Sequence, residues 1–307
     1  MKTSNKTLYS IHDSPERYFL ITYNTFIVLS SILGDSIILV ASLRYRSFKL
    51  HKILVIIIQH LAVTDLLLTL FRVIPQTAAV AADTWALGSF LGHVQVFVGG
   101  ICDGLIMSLT CALATAKFLI VKYPLKAGTW SSRSVHVTCA ALWLAKMILW
   151  LPLQLGHFIY TWDSLYFSYR TYQCIYNYFS ETTPSWFRLY LAVYFLTGTL
   201  GLMLLILVTS CLLLGAAQRA AARQGEQVRW QGVRTVLLSV VVFYITLLPW
   251  NVVRATFLIR VAHSAAMIRR TMFLTNANIN ANFFVYACTV KSFRAFLTQK
   301  LRLIFDR

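Results

Sequence analysis

The chain reads as an all-α membrane protein: a seven-transmembrane helix bundle with a short amphipathic eighth helix. Three observations predict it. Seven apolar stretches fill the chain almost end to end, the breaks between them are short, and Lys and Arg concentrate on one alternating set of those breaks. A hydrocarbon core about 30 Å thick takes about 20 apolar residues at about 1.5 Å per residue. Only helices or closed barrels satisfy their backbone polar groups there. With 307 residues, 58% hydrophobic and 12% charged, and a mean hydropathy of +0.66, the sequence predicts one membrane domain and little else.

The expected organisation is an extracellular amino-terminal segment over 1–17, a seven-helix domain over 18–290, and a cytoplasmic amphipathic helix and tail over 291–307. Spans are expected at 18–43, 53–81, 90–122, 134–160, 187–215, 230–259 and 267–290. The first 17 residues, with Lys2, Lys6, His12, Asp13 and Pro15, lack an apolar core followed by a small-residue cleavage site, so the first span is expected to serve as an uncleaved insertion signal. Asn5-Lys6-Thr7 fits a glycosylation acceptor, a triplet that chance also supplies.

Orientation follows the basic residues. Arg44, Arg46, Lys49 and Lys52, then Lys117, Lys122, Lys126 and Arg133, then Arg219, Arg223, Arg229 and Arg234, and finally the tail from Lys291 to Arg307 put seventeen cations on one side, against Glu226 and Asp306. The other side holds nine, against five acids. The amino terminus is therefore expected outside and the carboxyl terminus in the cytoplasm. Anionic inner-leaflet lipid accounts for most of the net charge of +18, so no nucleic-acid partner is implied. Five of the six cysteines (Cys102, Cys111, Cys139, Cys211 and Cys288) fall in apolar spans and read as packing residues. Cys174 alone lies in an outer loop.

Ionisable groups inside a span are expensive and point to function. Asp35 and Asp65 lie midway through the first and second spans. Two carboxylates close together in a poor dielectric cannot both stay ionised unless something positive joins them, so either a proton is shared or a cation binds. A second reading is structural: Asp35, Asp65, Ser36, Asn278 and Asn282 form a satisfied polar knot joining helices one, two and seven. Asp103, Arg72 and Arg254 lie in the outer halves of the third, second and sixth spans. Each cation there needs a carboxylate, water or ligand, and an ion pair of Asp103 with Arg72 is one solution. Gln95, Gln154, Tyr190, Tyr194 and Arg254 are candidates to complete a polar pocket beneath the outer loops; the tyrosines equally suit interfacial anchors.

In this order and spacing the residues resemble the rhodopsin-like (class A) G-protein-coupled receptors, over the whole chain. Gly34-Asp35 is similar to the Gly-Asn of the family's first helix, and Leu61-Ala62-Val63-Thr64-Asp65-Leu66-Leu67 to its second-helix signature. Ala116-Lys117-Phe118 stands where the family has Asp-Arg-Tyr, with Pro124-Leu125 following. Trp143 and Pro152 fit the fourth helix, Phe243 and Pro249 the sixth, and Asn282 with Tyr286 the seventh. Phe293 opens the eighth helix. The resemblance implies a plasma-membrane receptor for an extracellular ligand, small molecule or peptide, in which helix six swings about Pro249 to admit a heterotrimeric G protein. Lys117, Phe243, Leu247, Pro249 and Tyr286 would form the switch and coupling set.

The departures are as informative. Lys117 keeps a cation but loses the planar fork of arginine, and Ala116 removes the adjacent acid. Leu247 replaces the toggle tryptophan. Phe283 and Gly198 replace prolines of helices seven and five, which predicts straighter helices. Gly92 stands at the third-helix cysteine, leaving Cys174 without its family partner and the second outer loop less tethered. Of the family's sodium site, Asp65, Asn278 and Asn282 match while Cys102, Ile106 and Leu247 do not, and Asp35 adds a charge that favours a proton. Gly99 occupies the position of the amine-receptor aspartate. Arg254, Arg260, Arg269 and Arg270 lean toward an anionic ligand or acidic peptide, or toward a basic rim on lipid headgroups.

From Ser292 to Phe305, Phe293, Phe296, Leu297, Leu301 and Ile304 recur at helical spacing among cations, the pattern of an interfacial helix that has membrane lipid as a partner. Two other functional classes remain open. A non-coupling pseudo-receptor follows from Ala116, Lys117 and Leu247. A proton- or ion-linked transporter would use the Asp35/Asp65 pair, although no internal repeat is evident. No cofactor motif and no zincin-type metal motif is present, and Asp35, preceded by Leu33-Gly34, lacks the Gly-x-Gly-Asp of one intramembrane protease family, so an enzyme is not expected.

Overall fold

The computed structural model describes residues 2–3, 11, 14–43, 51–159, 165–176, 185–224, 230–258 and 263–305. Asn5, Arg260, the loop cations Arg44, Arg46 and Lys49, and the acids Glu226 and Asp306 lie outside the described residues. The long helices are α1 (Pro15–Leu43), α2 (Lys52–Ala82), α3 (Gly88–Lys122), α4 (Ser132–Ile159), α5 (185–224), α6 (Trp230–Leu258), α7 (Ala265–Thr289) and α8 (Lys291–Phe305). Helix α5 continues to Gln224, past its expected end at 215.

Six of these helices, α1 to α6, are long and apolar enough to cross a membrane. Helix α7 has the length, but Arg269, Arg270, Asn276, Asn278, Asn280 and Asn282 make it less apolar. Helix α3 runs through the middle, packed against α2, α4, α5 and α6, while α7 closes the bundle between α1 and α6. The apolar surface is not all inside. Val137, Leu144 and Ile148 of α4 and Leu204, Leu205, Leu207 and Val208 of α5 are exposed. Helices apolar on both the packed and the open face suit lipid rather than water.

Close packing explains one departure from the family pattern. A Cβ on Gly34 of α1 would lie 2.7 Å from Cγ of Phe283 on α7. The glycine thus gives the bulky ring, which stands where the family has proline, a place against α1. Helix α7 itself runs as one uninterrupted α-helix, started by Ser264, whose hydroxyl accepts the Met267 N–H at 3.2 Å. At its other end α8 turns off, with Phe293 buried and Phe296 and Leu297 against the core.

Two helices are not regular. In α2, Pro75 cannot donate to the carbonyl four residues back and its ring would clash with it. The chain opens into a π segment, Thr69–Val73, and the Ile74 N–H reaches back to the Thr69 carbonyl. The extra residue turns Arg72 inward, leaving it 3% exposed. In α5, without proline, the chain forms a π segment, Leu196–Gly201, with Gly198 inside it.

A hairpin of β2 (Leu165–Ser168) and β3 (Gln173–Tyr176) caps one end of the bundle, with the two-residue strand β1 (Lys2–Thr3) parallel to β2. Phe167, Tyr169 and Tyr172 pack edge to face and form a second apolar cluster with Ile11, Leu20, Val80 and Phe273. The described part of the loop lacks the covalent tether, as expected, and is held by hydrogen bonds instead. The Gln76 amide donates to the Thr171 carbonyl at 2.8 Å, and the Tyr172 hydroxyl donates to Asp83 at 2.7 Å and accepts the Ile11 N–H at 3.2 Å. Arg269 donates to the Tyr169 carbonyl at 3.1 Å, and the Cys174 N–H donates to Gln95 Oε1 at 2.9 Å. Cys174 is a free thiol, 2% exposed, and burial pushes its pKa up to about 12.

Candidate functional site

A small cleft opens among α2, α3, α6 and α7. Its polar side chains are Arg72, Asp103, Asn251, Arg254, Thr275 and Asn278, and its apolar wall is Ile106, Met107, Leu247 and Trp250. A few polar groups set beside an apolar wall are the lining of a ligand site. Arg72 Nη1 donates to Asp103 Oδ1, closing an ion pair in which the Arg72 side chain is 4% and the Asp103 side chain 32% exposed. Arg72 Nε is buried without a hydrogen-bond partner. The Arg254 guanidinium lies 5.3 Å from the ring centroid of Phe195 on α5. On α6 the Asn251 amide donates to the Leu247 carbonyl at 2.9 Å, and its Oδ1 is buried with no partner. Leu247, Trp250, Asn251 and Arg254 thus present to one cavity the residues on both sides of Pro249.

The other sequence-derived pocket residues lie elsewhere. Gln95 is buried between the hairpin and the Arg72 carbonyl, 3.5 Å away, because the hairpin's Cys174 N–H needs an acceptor. Tyr194 accepts the Trp150 indole N–H at 3.1 Å, and Tyr190 stacks on Tyr194 at 6.4 Å with its hydroxyl on the Leu149 carbonyl. Both tyrosines bind α5 to α4. Gln154, half-buried on α4, does not line the cavity. Arg269 and Arg270 meet Glu16 of α1 at 3.3 and 3.7 Å.

The structure brings Asp35, Asp65 and Asn282 together, both acids being fully buried. Ser31 donates to Asp35 Oδ2 at 2.7 Å and sits 2.7 Å from the Thr69 hydroxyl. Asn282 donates to Asp65 Oδ2 at 2.9 Å. Among the described residues, Oδ1 of each acid has no hydrogen-bond partner. Two expected members differ. Ser36 is exposed, and Ser31, one turn earlier, takes the role; Asn278 instead accepts from Thr246 at 3.2 Å and faces the cavity. Nearer the hairpin, Asn276 of α7 donates to Asn24 at 3.2 Å and to Gln76 at 2.9 Å, an amide knot that the sequence reading passed over. Asn251, Trp250 and Thr275 were also missed. For the amides the signal was available, since polar groups within apolar spans are themselves costly.

At the far end of the bundle from the hairpin, Lys117 is 8% exposed near the end of α3. Phe243 is buried on α6, edge-on to Tyr244 at 5.7 Å, and Tyr286 is fully buried on α7.

A bundle of apolar helices with a partly polar cleft at one end and buried carboxylates below it is the architecture of a multi-pass membrane protein. The chain belongs to the rhodopsin family of seven-transmembrane receptors, whose model it matches over residues 34–288. A C-X-C chemokine receptor type 5 of Rattus norvegicus is 27% identical over 237 residues, covering 75% of this chain and 59% of the relative. Somatostatin receptor type 4 of Rattus norvegicus is 26% identical over 276 residues, 87% of this chain and 68% of the relative. Neuropeptide Y receptor type 5 of Sus scrofa is 25% identical over 141 residues, 46% of this chain and 31% of the relative. The chain thus spans less than two thirds of the length of the chemokine receptor it matches.

Proposed function

We propose that this protein is a cell-surface receptor, amino terminus outside, that takes an extracellular ligand into the cavity and signals to a heterotrimeric G protein by outward movement of α6. One observation carries the reading: Leu247, Trp250, Asn251 and Arg254 line the cavity on either side of Pro249. Pro249 removes a helical N–H and weakens the ladder there, so a ligand that prefers one setting of these side chains shifts the population of the bend. Names of relatives that include chemokine and neuropeptide Y support a polypeptide ligand.

In this reading Asp35 and Asp65 share a proton, with Asn282 holding Asp65, and form the pivot below the cavity. Lys117, Phe243 and Tyr286 serve the G-protein end, where Lys117 supplies charge without the arginine fork. Helix α8 lies against membrane lipid.

The test is basal and extract-stimulated G-protein activation in cells expressing the chain, beside Lys117→Arg and Asp65→Asn. Activation that rises in Lys117→Arg and changes in Asp65→Asn supports the reading. No activation under any stimulus, in the natural chain or in Lys117→Arg, overturns it in favour of a non-coupling receptor.

A further inference from the structure

We infer that the cavity recognises a carboxylate joined to an apolar body, with Arg254 as the residue that takes the carboxylate. The inference rests on the receptor reading above and names the chemistry of the ligand. Its basis is a charge inequality. Two guanidiniums, Arg72 and Arg254, line the cavity with one carboxylate, Asp103. Asp103 is already paired with Arg72. Among the described residues no carboxylate lies within ion-pair distance of Arg254, whose guanidinium faces the Phe195 ring. Arg254 is half-buried; a partly desolvated cation without an anion is left uncompensated, and a planar guanidinium matches a carboxylate with two parallel N–H donors.

The remaining lining completes the specification. Ile106, Met107, Leu247 and Trp250 offer an apolar wall, which excludes a bare inorganic anion as the best fit. Asn251 Oδ1, buried and unpartnered on the same face of α6 as Leu247 and Arg254, accepts one N–H or O–H from the ligand. A free amphipathic acid and the carboxyl terminus of a peptide ending in an apolar residue both present this chemistry. Asp103, held by Arg72, keeps the opposite side of the cavity hostile to a second negative charge.

The experiment is thermal unfolding of the purified full chain in detergent with paired probes: phenylbutyrate, indoleacetate and decanoate, each beside its primary amide, and a leucine-ended hexapeptide as free acid and as carboxyl-terminal amide. The expected result is stabilisation by at least one acid with an apparent affinity about 10- to 100-fold above that of its amide, the size of a charge-assisted hydrogen-bond pair. Arg254→Gln loses this preference, and Arg254→Lys retains it in weakened form. Response to the small acids identifies a free acid as the source, and response to the peptide acid alone identifies a chain terminus. Equal response to every acid and its amide, or no response to any acid, overturns the inference, as does a preference that survives Arg254→Gln. If Arg254→Gln fails to fold, an acid preference undiminished in Arg254→Lys overturns it instead. G-protein activation measured on the same preparations separates the two claims: coupling without acid preference removes the ligand chemistry alone, and acid preference without coupling removes the receptor reading alone.

Discussion

Gln95 accepts the backbone N–H of Cys174 at 2.9 Å, joining the middle of the hairpin to α3 where receptors of this family have a covalent link. Gly92, one turn before Gln95, carries no thiol, and the amide does the tethering in its place. Removing a buried acceptor leaves its donor unsatisfied, at about 1–3 kcal/mol. Gln95→Leu is therefore expected to lower the unfolding temperature in detergent, while a thiol reductant leaves the natural chain unchanged. A reductant-induced drop in unfolding temperature contradicts this account.

The thiol of Cys174 has a second consequence. Burial raises its pKa to about 12, above the ordinary value of 9.0, so at pH 8 the group is the unreactive thiol rather than the thiolate. Peptide mapping after maleimide treatment at pH 8 should find Cys174 unmodified in the folded chain and fully modified after denaturation. Labelling as fast as in the denatured chain argues against the packed hairpin.

Gly34 and Phe283 make a paired prediction. A methyl at Gly34 meets the Phe283 ring at 2.7 Å, which rigid neighbours do not tolerate, and overpacking of this kind costs about 1–3 kcal/mol. Gly34→Ala should destabilise the bundle, and Gly34→Ala with Phe283→Leu should recover much of the loss. A double variant no better than the sum of the two single ones places the effect elsewhere.

These relationships also show where the sequence was informative. The bilayer dictates span length and apolarity, so the long helices followed from the apolar runs; α3 ends at Lys122, as read from the chain. The burial of Asp35 and Asp65 followed from the same physics. What did not follow depends on how helices rotate against each other. The pairing of Arg72 with Asp103 was legible from their shared depth in the spans, but the π segment that turns Arg72 inward was not, because nothing in the run Thr69–Val73 announces an extra residue in the turn. Gln95 read as a pocket residue because its helix face was known but its neighbour, the hairpin, was not. Ser36 is next to Asp35 in sequence but points off its face, whereas Ser31, one helical turn from Asp35, shares it.

The pair Asp35 and Asp65 allows a test of what occupies the knot. With two carboxylates, each given one neutral donor (Ser31 to Asp35 and Asn282 to Asp65), a shared proton would satisfy the site and a sodium ion would leave a second negative charge. The natural chain is expected to unfold at the same temperature in sodium chloride and in choline chloride. Asp35→Asn removes the extra acid and should gain about 1 kcal/mol from sodium. A natural chain already stabilised by sodium contradicts the shared proton.

The ion pair of Arg72 with Asp103 yields the last prediction, because it separates pairing from charge. Arg72 is nearly enclosed, so Asp103→Asn leaves a buried guanidinium facing a neutral amide, at about 3–5 kcal/mol. Arg72→Met with Asp103→Leu removes both charges and both desolvation costs, and the bundle should unfold at or above the natural temperature. The same double variant leaves Arg254 as the one cation lining the cavity, so a ligand held through Arg254 should still bind it. Thermal unfolding decides the first part and probe binding the second. If the double variant is as unstable as Asp103→Asn, the pair holds α2 to α3 by more than its charges, and the cavity is a product of that pair.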